Sequence, residues 1–506
     1  MQLFELVLVL LLTGAVLTVI AQRIGTPYPA LLAVAGAALA LLPTGADPGL
    51  DPELALALFV APTLMDAAFD ASPRDLKANW RPVTSLVLIA VGVTVIAVAI
   101  VARLLVPDMP WAVAIALGAI VAPPDASAAT AVLRQLSPPH RVMVILEGES
   151  LLNDASALLI YRVALSAVAG GAFSIWMAGW LLLVTCLGGA VLGFVTARLY
   201  LLLVRPAHDI AVSVVTQFVG TFAVWILAER LGVSPVITTV FYAITIARLA
   251  PGRLGAEHRR ASYAVWEVAV FVLNALAFIL IGLQLRGVLE RLHGHAAEFA
   301  IFAGSILLTC VLARMAWVMG FTTLMRKFSR NGTMRAPANG AFVVSWCGMR
   351  GIVTLATALA LPVAVGDTPA FPYRDLLVAA AFAVVLGTLV IQGVTLAPLL
   401  RWMRLDDDGA ITRELSLARH EVSSAALLVL HAAPGQHAAA LLAEFEDAGT
   451  SQADRHNLTL QVIAAKRHRL LELRRSLVIG DSTFQHLEEE LDWAEGHTLR
   501  RLRSAG

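Results

Sequence analysis

Charged residues are scarce in this chain. Asp, Glu, Lys and Arg make up only 14% of its 506 residues, whereas 58% are hydrophobic. Soluble domains average about 25% charged residues, so this composition excludes an ordinary water-soluble core. A mean hydropathy of +0.78 over the whole chain indicates that lipid surrounds most of the polypeptide.

Cysteine is scarcer still. The chain has three, Cys186, Cys310 and Cys347, which lie far apart inside apolar runs. Their spacing excludes a disulfide framework and a paired-cysteine metal site. The polar C-terminal region also lacks a Gly-rich phosphate loop and a cluster of metal-ligating residues. We therefore expect no cofactor and no nucleic-acid partner.

Long hydrophobic runs fill the chain instead. A membrane-spanning helix needs about 20 mostly apolar residues, and the sequence predicts about thirteen transmembrane helices. The first run lacks the basic segment of a signal peptide and contains Glu5, so it is interpreted as a span. The predicted spans are 3–21, 27–43, 52–69, 83–105, 111–133, 142–168, 174–197, 210–229, 234–249, 263–285, 297–325, 338–362 and 374–400.

Lys and Arg are distributed unevenly over the loops between these spans. Sixteen lie in, or at the edge of, loops that follow odd-numbered spans, and only five lie in, or at the edge of, loops that follow even-numbered spans. Cytoplasmic loops carry the excess of positive charge. This pattern predicts a multi-pass protein of the inner (plasma) membrane, with the N-terminus outside and the C-terminus in the cytoplasm.

The composition changes near residue 405, where three successive aspartates begin a polar tail of about a hundred residues. The stretches 454–477 and 483–502 carry Leu, Ile and Val at helical spacing. We predict a transmembrane domain over 1–405 and a helical cytoplasmic tail over 406–506. The tail either has a dimer-supporting or regulatory role or simply packs on the membrane domain.

A few charged side chains lie within the predicted spans and away from the span ends. Each costs roughly 2.5–3.5 kcal/mol on insertion scales, so each needs a functional or structural reason. They are Asp66, Asp125, Glu147, Glu149, Asp154, Arg162, Glu267, Arg314 and Arg350. The densest group lies in the fifth and sixth spans, which therefore form the candidate functional region.

The fifth span contains Pro123 and Pro124 directly before Asp125. Two consecutive prolines remove two backbone donors and clash with the preceding turn, so the helix is predicted to break there. Irregular backbone at membrane depth is tolerated only where it is buried in protein or lines a cavity. Asp125 beside unwound backbone is typical of a transporter cation site. The alternative is a simple proline kink, with Asp125 paired to a distant arginine.

The sixth span carries several polar residues on one helical face. They are Glu149, Ser150, Asn153 and Asp154. Carboxylate, hydroxyl and amide oxygens suit Na⁺, Li⁺ or a proton rather than a soft metal. We predict a monovalent-cation site at Asp125 and Asp154. Glu147, nearest the cytoplasmic end, is interpreted as a helix-capping residue at headgroup level.

The twelfth span carries Arg350 between Gly348 and Gly351. Glycines permit unwinding and close approach of helices. Arginine stays charged, so Arg350 is expected to find a carboxylate and to act as a fixed counter-charge. The weakened fifth and twelfth spans lie about half of the membrane domain apart, which indicates an inverted repeat, a layout typical of transport sites.

At these residues the chain resembles the monovalent cation/proton antiporter family, which includes the electroneutral Na⁺/H⁺ exchangers of bacteria and animals. The resemblance covers about residues 3–405. It is strongest at Pro124-Asp125-Ala126, in the string from Glu147 to Asp154, and at Gly348-Met349-Arg350-Gly351, with further matches at Tyr28-Pro29, Trp266-Glu267 and 274–285.

The resemblance implies an all-α polytopic fold with inverted repeats and two broken helices. It also implies a homodimer in membrane lipid, in which a six-helix core domain moves like an elevator. Asp154 is then the carrier of the cation and the proton, and Asp125 and Ser150 help to bind the ion. The transported Na⁺ and H⁺ are the only small partners that the resemblance implies.

Two further roles follow from the resemblance. Asn153 supports the site, and because electrogenic relatives have a second Asp there, Asn153 implies one proton per cation. Glu149 is expected to form a structural ion pair with Arg350. One residue departs from the family pattern: Pro124 replaces the Thr or Ser that many members have before the Asp of the broken helix. The choice between Na⁺ and K⁺ is therefore open.

These observations predict an antiporter that exchanges Na⁺, or Li⁺, for H⁺. Cation and proton compete for one buried carboxylate, and transport is exchange if the unloaded, charged site cannot cross the membrane. A K⁺/H⁺ antiporter on the same scaffold is the main alternative. An ion channel is disfavoured because no selectivity-filter sequence occurs, and an enzyme because no nucleophile–base pair lies at membrane depth. A sensor that has lost transport is disfavoured by the intact Asp125, Asn153 and Asp154.

Overall fold

The computed structural model of the protein describes residues 2–24, 26–42, 52–125, 127–130, 133, 138–169, 175–203, 210–251, 255–291, 296–328, 338–363, 371–403, 405, 408–432 and 452–505. Every regular element in these ranges is helical. The predicted all-α fold is therefore confirmed.

Within the described residues, sixteen labelled helical segments precede the tail, besides the short helical stretch 127–130. They are α1 (Gln2–Ile24), α2 (Tyr28–Ala40), α3 (52–70), α4 (Pro73–Ala78), α5 (Trp80–Leu105), α6 (Trp111–Val121), α7 (His140–Val168), α8 (Ile175–Leu203), α9 (Ile210–Arg230), α10 (Pro235–Leu249), α11 (Ala256–Leu283), α12 (Leu285–Arg291), α13 (Ala296–Phe328), α14 (Ala338–Trp346), α15 (Ile352–Leu359) and α16 (Arg374–Met403). The tail contains α17 (Ala410–Ala432), α18 (Gln452–Arg475) and α19 (Asp481–Ala505).

Within the described ranges, eight helices are long and apolar enough to cross a membrane. Three shorter apolar helices, α2, α6 and α10, match further predicted spans. The predicted span 52–69 corresponds to α3, which contains a π-helical turn, and the span 338–362 is divided between α14 and α15. The protein is thus a polytopic membrane protein, whereas the count of thirteen crossings stays a prediction.

Local sequence explains where several helices start. Ser234 precedes α10, and its Oγ accepts a hydrogen bond from the Ile237 backbone N–H at 3.3 Å. Pro235 occupies the first turn of the same helix, where its missing N–H costs nothing. Ser72 caps α4 in the same way, by accepting from the Asp75 N–H at 3.4 Å.

A π-helical turn in α5, Ser85–Ala90, fixes the position of α7. Such turns leave backbone groups free for other partners. The Val87 carbonyl accepts a hydrogen bond from Ser156 Oγ of α7 at 2.8 Å. On the other side, Ser85 Oγ accepts from Trp317 Nε1 of α13 at 3.0 Å. The polar contacts of this turn therefore hold α7 beside α5 and α13.

The membrane helices bury two apolar clusters. The first cluster draws on α2, α5, α6, α13, α14, α15, α16 and the C-terminal half of α11. The second draws on α3, α8, α9, α10 and the N-terminal half of α11. Helix α7 contributes to both: Ile145 and Tyr161 lie in the first, and Leu151 and Ala155 lie in the second. The polar face of α7 is therefore positioned where the two clusters meet.

Helices α2 and α11 approach each other backbone to backbone. A Cβ added at Gly36 would overlap the Ile279 carbonyl oxygen, and one added at Gly282 would overlap the Ala33 carbonyl oxygen. Small residues at facing positions are the usual means of close helix contact in membranes. This contact fixes the angle at which α11 passes between the two clusters.

The tail forms a small helical unit of its own. Helices α17, α18 and α19 bury a third cluster, formed by Ala418, Val422, Ile463, Leu470, Leu473, Ile479, Phe484, Leu487 and Leu491. The predicted helical stretches 454–477 and 483–502 coincide with α18 and α19. The domain boundary at 405/406 stays a prediction, and residues 406 and 407 lie outside the described ranges.

Candidate functional site

Two broken helices cross inside the first cluster. Helix α6 ends at Val121, residues 122–125 are not helical, and helix resumes at 127–130. Helix α14 ends at Trp346, and α15 begins at Ile352. The Asp125 backbone N–H donates to the Met349 carbonyl at 2.7 Å, so the two unwound segments hydrogen-bond to each other. The breaks predicted in the fifth and twelfth spans are confirmed.

Arg350 lies between the C-terminal ends of two half-helices. Its side chain is fully buried. Nε donates to the Val121 carbonyl, the last residue of α6, at 3.0 Å, and Nη1 donates to the Gly348 carbonyl just beyond α14. Helix C-termini carry partial negative charge and unpaired carbonyl groups. The guanidinium group therefore stabilises both breaks by binding carbonyl oxygens.

Asp125 lies at the N-terminal ends of the two following half-helices. Its Oδ1 accepts hydrogen bonds from Ser127 N–H at 2.8 Å and from Ser127 Oγ at 2.7 Å. Its other carboxylate oxygen lies against Gly351, where an added Cβ would overlap it. The partial positive charge of helix N-termini favours an ionised carboxylate here. Arg350 and Asp125 thus each contact helix ends whose partial charge is opposite in sign to that of the side chain.

Helix α7 brings its polar face to this crossing. Asn153 is fully buried, and its Nδ2 donates to the Pro124 carbonyl at 2.8 Å. Asn153 Oδ1 is buried and has no hydrogen-bond partner among the described residues. Asp154, the next residue, is 8% exposed, and no hydrogen bond or ion pair reaches its carboxylate from the described part of the chain. Among the described residues, no cationic side chain therefore compensates the buried Asp154 carboxylate.

The predicted pairing of Glu149 with Arg350 is wrong. Glu149 is buried and forms a two-pronged ion pair with Arg314 of α13: Nη2 donates to Oε2 at 2.8 Å, and Nη1 donates to Oε1. Arg314 Nη2 also donates to the Val344 carbonyl at 2.9 Å. The physical reason is that the Arg350 guanidinium binds carbonyl oxygens at the two broken helix ends, whereas Arg314 of α13 supplies the charge that the buried Glu149 carboxylate requires.

One cavity of about 760 Å³ contains the ion-binding candidates. Asp125, Ser150 and Asp154 all line it. Asn153 supports its wall through the bond to Pro124, whereas Glu149 and Arg350 do not line it. The structure therefore brings the predicted cation-binding residues together and separates them from the predicted structural pair.

Known proteins that are similar to this chain are cation/proton transporters. The family model described as sodium/hydrogen exchanger, transmembrane, matches residues 7–402. The chain belongs to the sodium/hydrogen exchanger family. Its relatives are transporters rather than enzymes, and this exchanger is accordingly a membrane-embedded secondary transporter for monovalent cations and protons.

Individual relatives are similar over most of the exchanger. An uncharacterised Na⁺/H⁺ exchanger of Mycobacterium bovis is 31% identical over 98% of this chain and 96% of its own. A sodium, potassium, lithium and rubidium/H⁺ antiporter of Bacillus subtilis is 32% identical over 78% of this chain and 61% of its own. The solved sodium proton antiporter MjNhaP1 of Methanocaldococcus jannaschii shares the fold, with a TM-score of 0.60, 17% identity, and coverage of 80% of this chain and 99% of that one.

Two residues of the exchanger's site carry contacts that the sequence did not reveal. Arg314 was visible only as a charge in an apolar span, and nothing in its sequence neighbourhood indicates Glu149 as its partner. Ser127 lies two residues after Asp125. At this spacing an Asp side chain commonly accepts a hydrogen bond from the backbone N–H of the later residue and so caps the start of a helix. That spacing was the available signal for Ser127, whereas Arg314 needed the fold.

Proposed function

We propose that this exchanger moves Na⁺, or Li⁺, in one direction and H⁺ in the other, with one proton per cation. The observation that carries the proposal is the buried Asp154 carboxylate, which has no cationic partner among the described residues and lines the cavity beside Asp125. A buried, unpaired carboxylate is costly, and either a proton or a cation removes that cost. Na⁺ and H⁺ therefore compete for the same group.

Asp125 and Ser150 have supporting roles in this proposal. The carboxylate of Asp125 is stabilised in its ionised form by the two hydrogen bonds from Ser127. It adds negative charge and an oxygen ligand for the cation but does not carry the proton. Ser150, one turn before Asp154, also lines the cavity. Oxygen ligands of this kind suit hard monovalent cations.

Alternating access completes the proposal. The unwound segments at Asp125 and Arg350 form one hydrogen-bonded unit with α7, so they can move together. The first cluster would carry the ion site past the second in an elevator-type movement. The unloaded, charged site stays on one side because moving an uncompensated carboxylate through the membrane is costly.

We further propose a homodimer in the plasma membrane, with the N-terminus outside and the tail in the cytoplasm. The uneven distribution of Lys and Arg supports this orientation. Helices α8 and α9 expose many large apolar side chains, Leu187, Val191, Leu202, Val215 and Val219 among them. Such surfaces suit contact with lipid or with a second copy.

K⁺/H⁺ exchange is the second candidate function. Pro124 offers only a backbone carbonyl where many relatives have a hydroxyl, and that carbonyl already accepts a hydrogen bond from Asn153. Fewer fixed ligands make a site less selective for a small cation. The Bacillus subtilis relative is named as an antiporter of sodium, potassium, lithium and rubidium, which supports the same alternative.

Proton flux in proteoliposomes tests the proposal. Purified protein is reconstituted with a pH-sensitive dye inside, and Na⁺, Li⁺, K⁺ or choline is added outside. We expect Na⁺ and Li⁺ to drive proton movement and choline to have no effect. Equal responses to K⁺ and Na⁺ would favour the second candidate, and conduction without a counter-ion would contradict exchange altogether.

A further inference from the structure

The cavity of the ion site extends beyond the membrane helices. Its outer wall includes four residues of the tail helix α19: Ser482, Gln485, His486 and Glu489. Their spacing of three, four and seven residues places them on one face of that helix. The same cavity contains Asp125 and Asp154. The tail and the ion site therefore border one continuous space.

A buried ion-pair cluster holds α19 at this place. Arg259, at the start of α11, donates from Nε to Asp492 Oδ2 at 2.9 Å and also contacts Oδ1. Arg467 of α18 donates to Asp492 Oδ1 at 2.6 Å. Glu488 lies 3.6 Å from Arg259 Nε. Asp492, Glu488 and Arg259 are all buried, so the contact is part of the folded interior rather than a chance surface pairing.

Further contacts tie the tail to other points on the membrane part. Gln485 Nε2 donates to Asp70 Oδ1, near the end of α3, at 3.2 Å. Arg474 Nη1 donates to the Ala247 carbonyl, near the end of α10, at 3.0 Å. The guanidinium of Arg260 lies 3.5 Å above the Trp493 ring. Attachment at several separate points fixes the orientation of α19, so its cavity-facing side chains have defined positions.

Carboxylates dominate the charged side chains of the cavity lining, which also holds many apolar residues and His486. It includes seven carboxylate side chains, Asp66, Asp70, Asp125, Glu147, Asp154, Glu267 and Glu489, and the described residues that line it include no Lys or Arg. A cleft lined by charges of one sign concentrates ions of the opposite sign and accelerates their entry. Glu489 is the last of the seven in the sequence, belongs to the tail and is exposed.

We propose that Gln485 and Glu489 of the tail are access-determining residues of the transport reaction: cations enter the cavity past them, and the contact of α19 with Arg259 holds them at its mouth. This rests on the proposed function, because it assumes that a cation uses the cavity. The tail is then part of the ion route rather than a separate unit that merely packs on the membrane part.

Charge reversal at Glu489 tests the proposal. Cation-dependent proton flux is measured in everted vesicles, which expose the predicted cytoplasmic side to the bath. We expect Glu489→Lys to raise the apparent KM for the cation several-fold without changing the maximal rate, and Glu489→Gln to have a smaller effect. The matched control is Glu490→Lys, because Glu490 is exposed on the same helix and does not line the cavity. Its partners are Arg419 of α17, at 2.5 Å, and His486, at 3.6 Å, so this variant also shows the effect of losing a surface ion pair of the tail.

The outcomes separate the two proposals. If the unmodified protein exchanges cations but Glu489→Lys and Glu490→Lys behave alike, the access role is refuted and the proposed function stands. If the unmodified protein shows no exchange, the proposed function itself has failed. Raising the ionic strength with choline chloride should reduce the effect of Glu489→Lys, since salt screens exposed charges.

The role of the Arg259 contact needs its own measurement. The Asp492→Asn variant loses the ion pair between Asp492 and Arg259. In that background we expect Glu489→Lys to raise the apparent KM for the cation by less than it does in the unmodified protein. A double-mutant cycle measures this difference. Labelling gives a second measurement if that variant folds poorly. A cationic thiol reagent should slow transport by Gln485→Cys but not by Glu490→Cys, and equal inhibition of both would overturn the proposal.

Discussion

Residues of the same type have different roles in this molecule because their partners differ. Glu149 is neutralised by Arg314, Asp125 accepts two hydrogen bonds from Ser127, and Asp154 has neither kind of partner among the described residues. A carboxylate that is paired is already stabilised in its ionised form, so it gains little from binding a proton or a cation during transport. Partner identity, rather than position in the sequence, singles out Asp154.

Replacing Asp154 with Asn should abolish exchange and leave the protein folded. Asn has nearly the same shape as Asp but can neither release a proton nor balance a cation's charge. Flux in proteoliposomes and monodispersity in detergent are the two measurements. Asp108→Asn, in the exposed turn after α5, is the matched control and should retain activity. Half of the wild-type rate in Asp154→Asn would refute the single-carrier interpretation.

Replacing Arg314 with Met should strongly destabilise the protein. Removing one partner of a buried ion pair typically costs about 3–5 kcal/mol, because the other charge stays buried and unpaired. Thermal unfolding in detergent measures the loss. The double variant Arg314→Met with Glu149→Gln should be less destabilised than the two single effects added together, since it leaves no uncompensated charge. Strict additivity would mean that the two side chains do not interact.

At the scale of helices, the sequence predicted the two breaks and the gathering of polar residues on α7. Consecutive prolines and paired glycines act locally, so their consequences could be deduced without the fold. The partner of Glu149 could not be deduced, because Arg314 and Arg350 both lie inside apolar spans and the sequence does not distinguish them. Which of them reaches Glu149 depends on how α13 packs against α14. The position of α19 beside the cavity depends on long-range packing in the same way.

The crossing of the broken helices requires glycine at position 351. A methyl group there would overlap the Asp125 carboxylate, so Gly351→Ala should displace Asp125 and reduce exchange at least tenfold. Overpacking of this kind also costs roughly 1–3 kcal/mol of stability. Gly92→Ala is the matched control, because no atom lies within 4 Å of its added Cβ. Normal cation affinity in Gly351→Ala would show that the Asp125 carboxylate is not held against this glycine.

The contact between α19 and the membrane part contains a group suited to respond to pH. Burial raises the pKa of Glu488 to about 7, above its ordinary value of 4.5. The charged and titratable groups that face Glu488 are Arg259 and Tyr263 of α11, Arg467 and Arg474 of α18, and Asp492 of α19. Since the docked state binds this proton more tightly than the undocked state, docking is strongest at low pH and weakens as pH rises through about 7.

Hydrogen exchange of α19 at pH 6 and pH 8 tests this dependence. After correction for intrinsic exchange rates, we expect less protection of α19 at the higher pH. Glu488→Gln has no titratable proton, so its protection should be high and the same at both values. Glu490→Gln, an exposed change on the same helix, should keep the wild-type pH response. A pH response that persists in Glu488→Gln would assign the effect to another group.

At the scale of the whole molecule, the arrangement of fixed charges limits what transport can carry across the membrane. Arg314 balances Glu149, and the charge of Arg350 is bound by carbonyl groups at the helix breaks. Neither arginine loses its proton under physiological conditions. Asn153 cannot titrate. The only carboxylate without a hydrogen bond or ion pair at the crossing of the described helices is Asp154.

Exchange should therefore be electroneutral. One carboxylate that takes either one Na⁺ or one H⁺ moves the same net charge in both directions, so the rate should not respond to membrane potential. The measurement imposes a K⁺/valinomycin potential of either sign on vesicles with a fixed Na⁺ gradient and follows the internal pH. The Asn153→Asp variant is the informative comparison, because a second titratable group on α7 would add a proton and make the rate sensitive to the potential. A several-fold change with the sign of the potential in the unmodified protein would show that Asp125 or another carboxylate also releases its proton during the cycle.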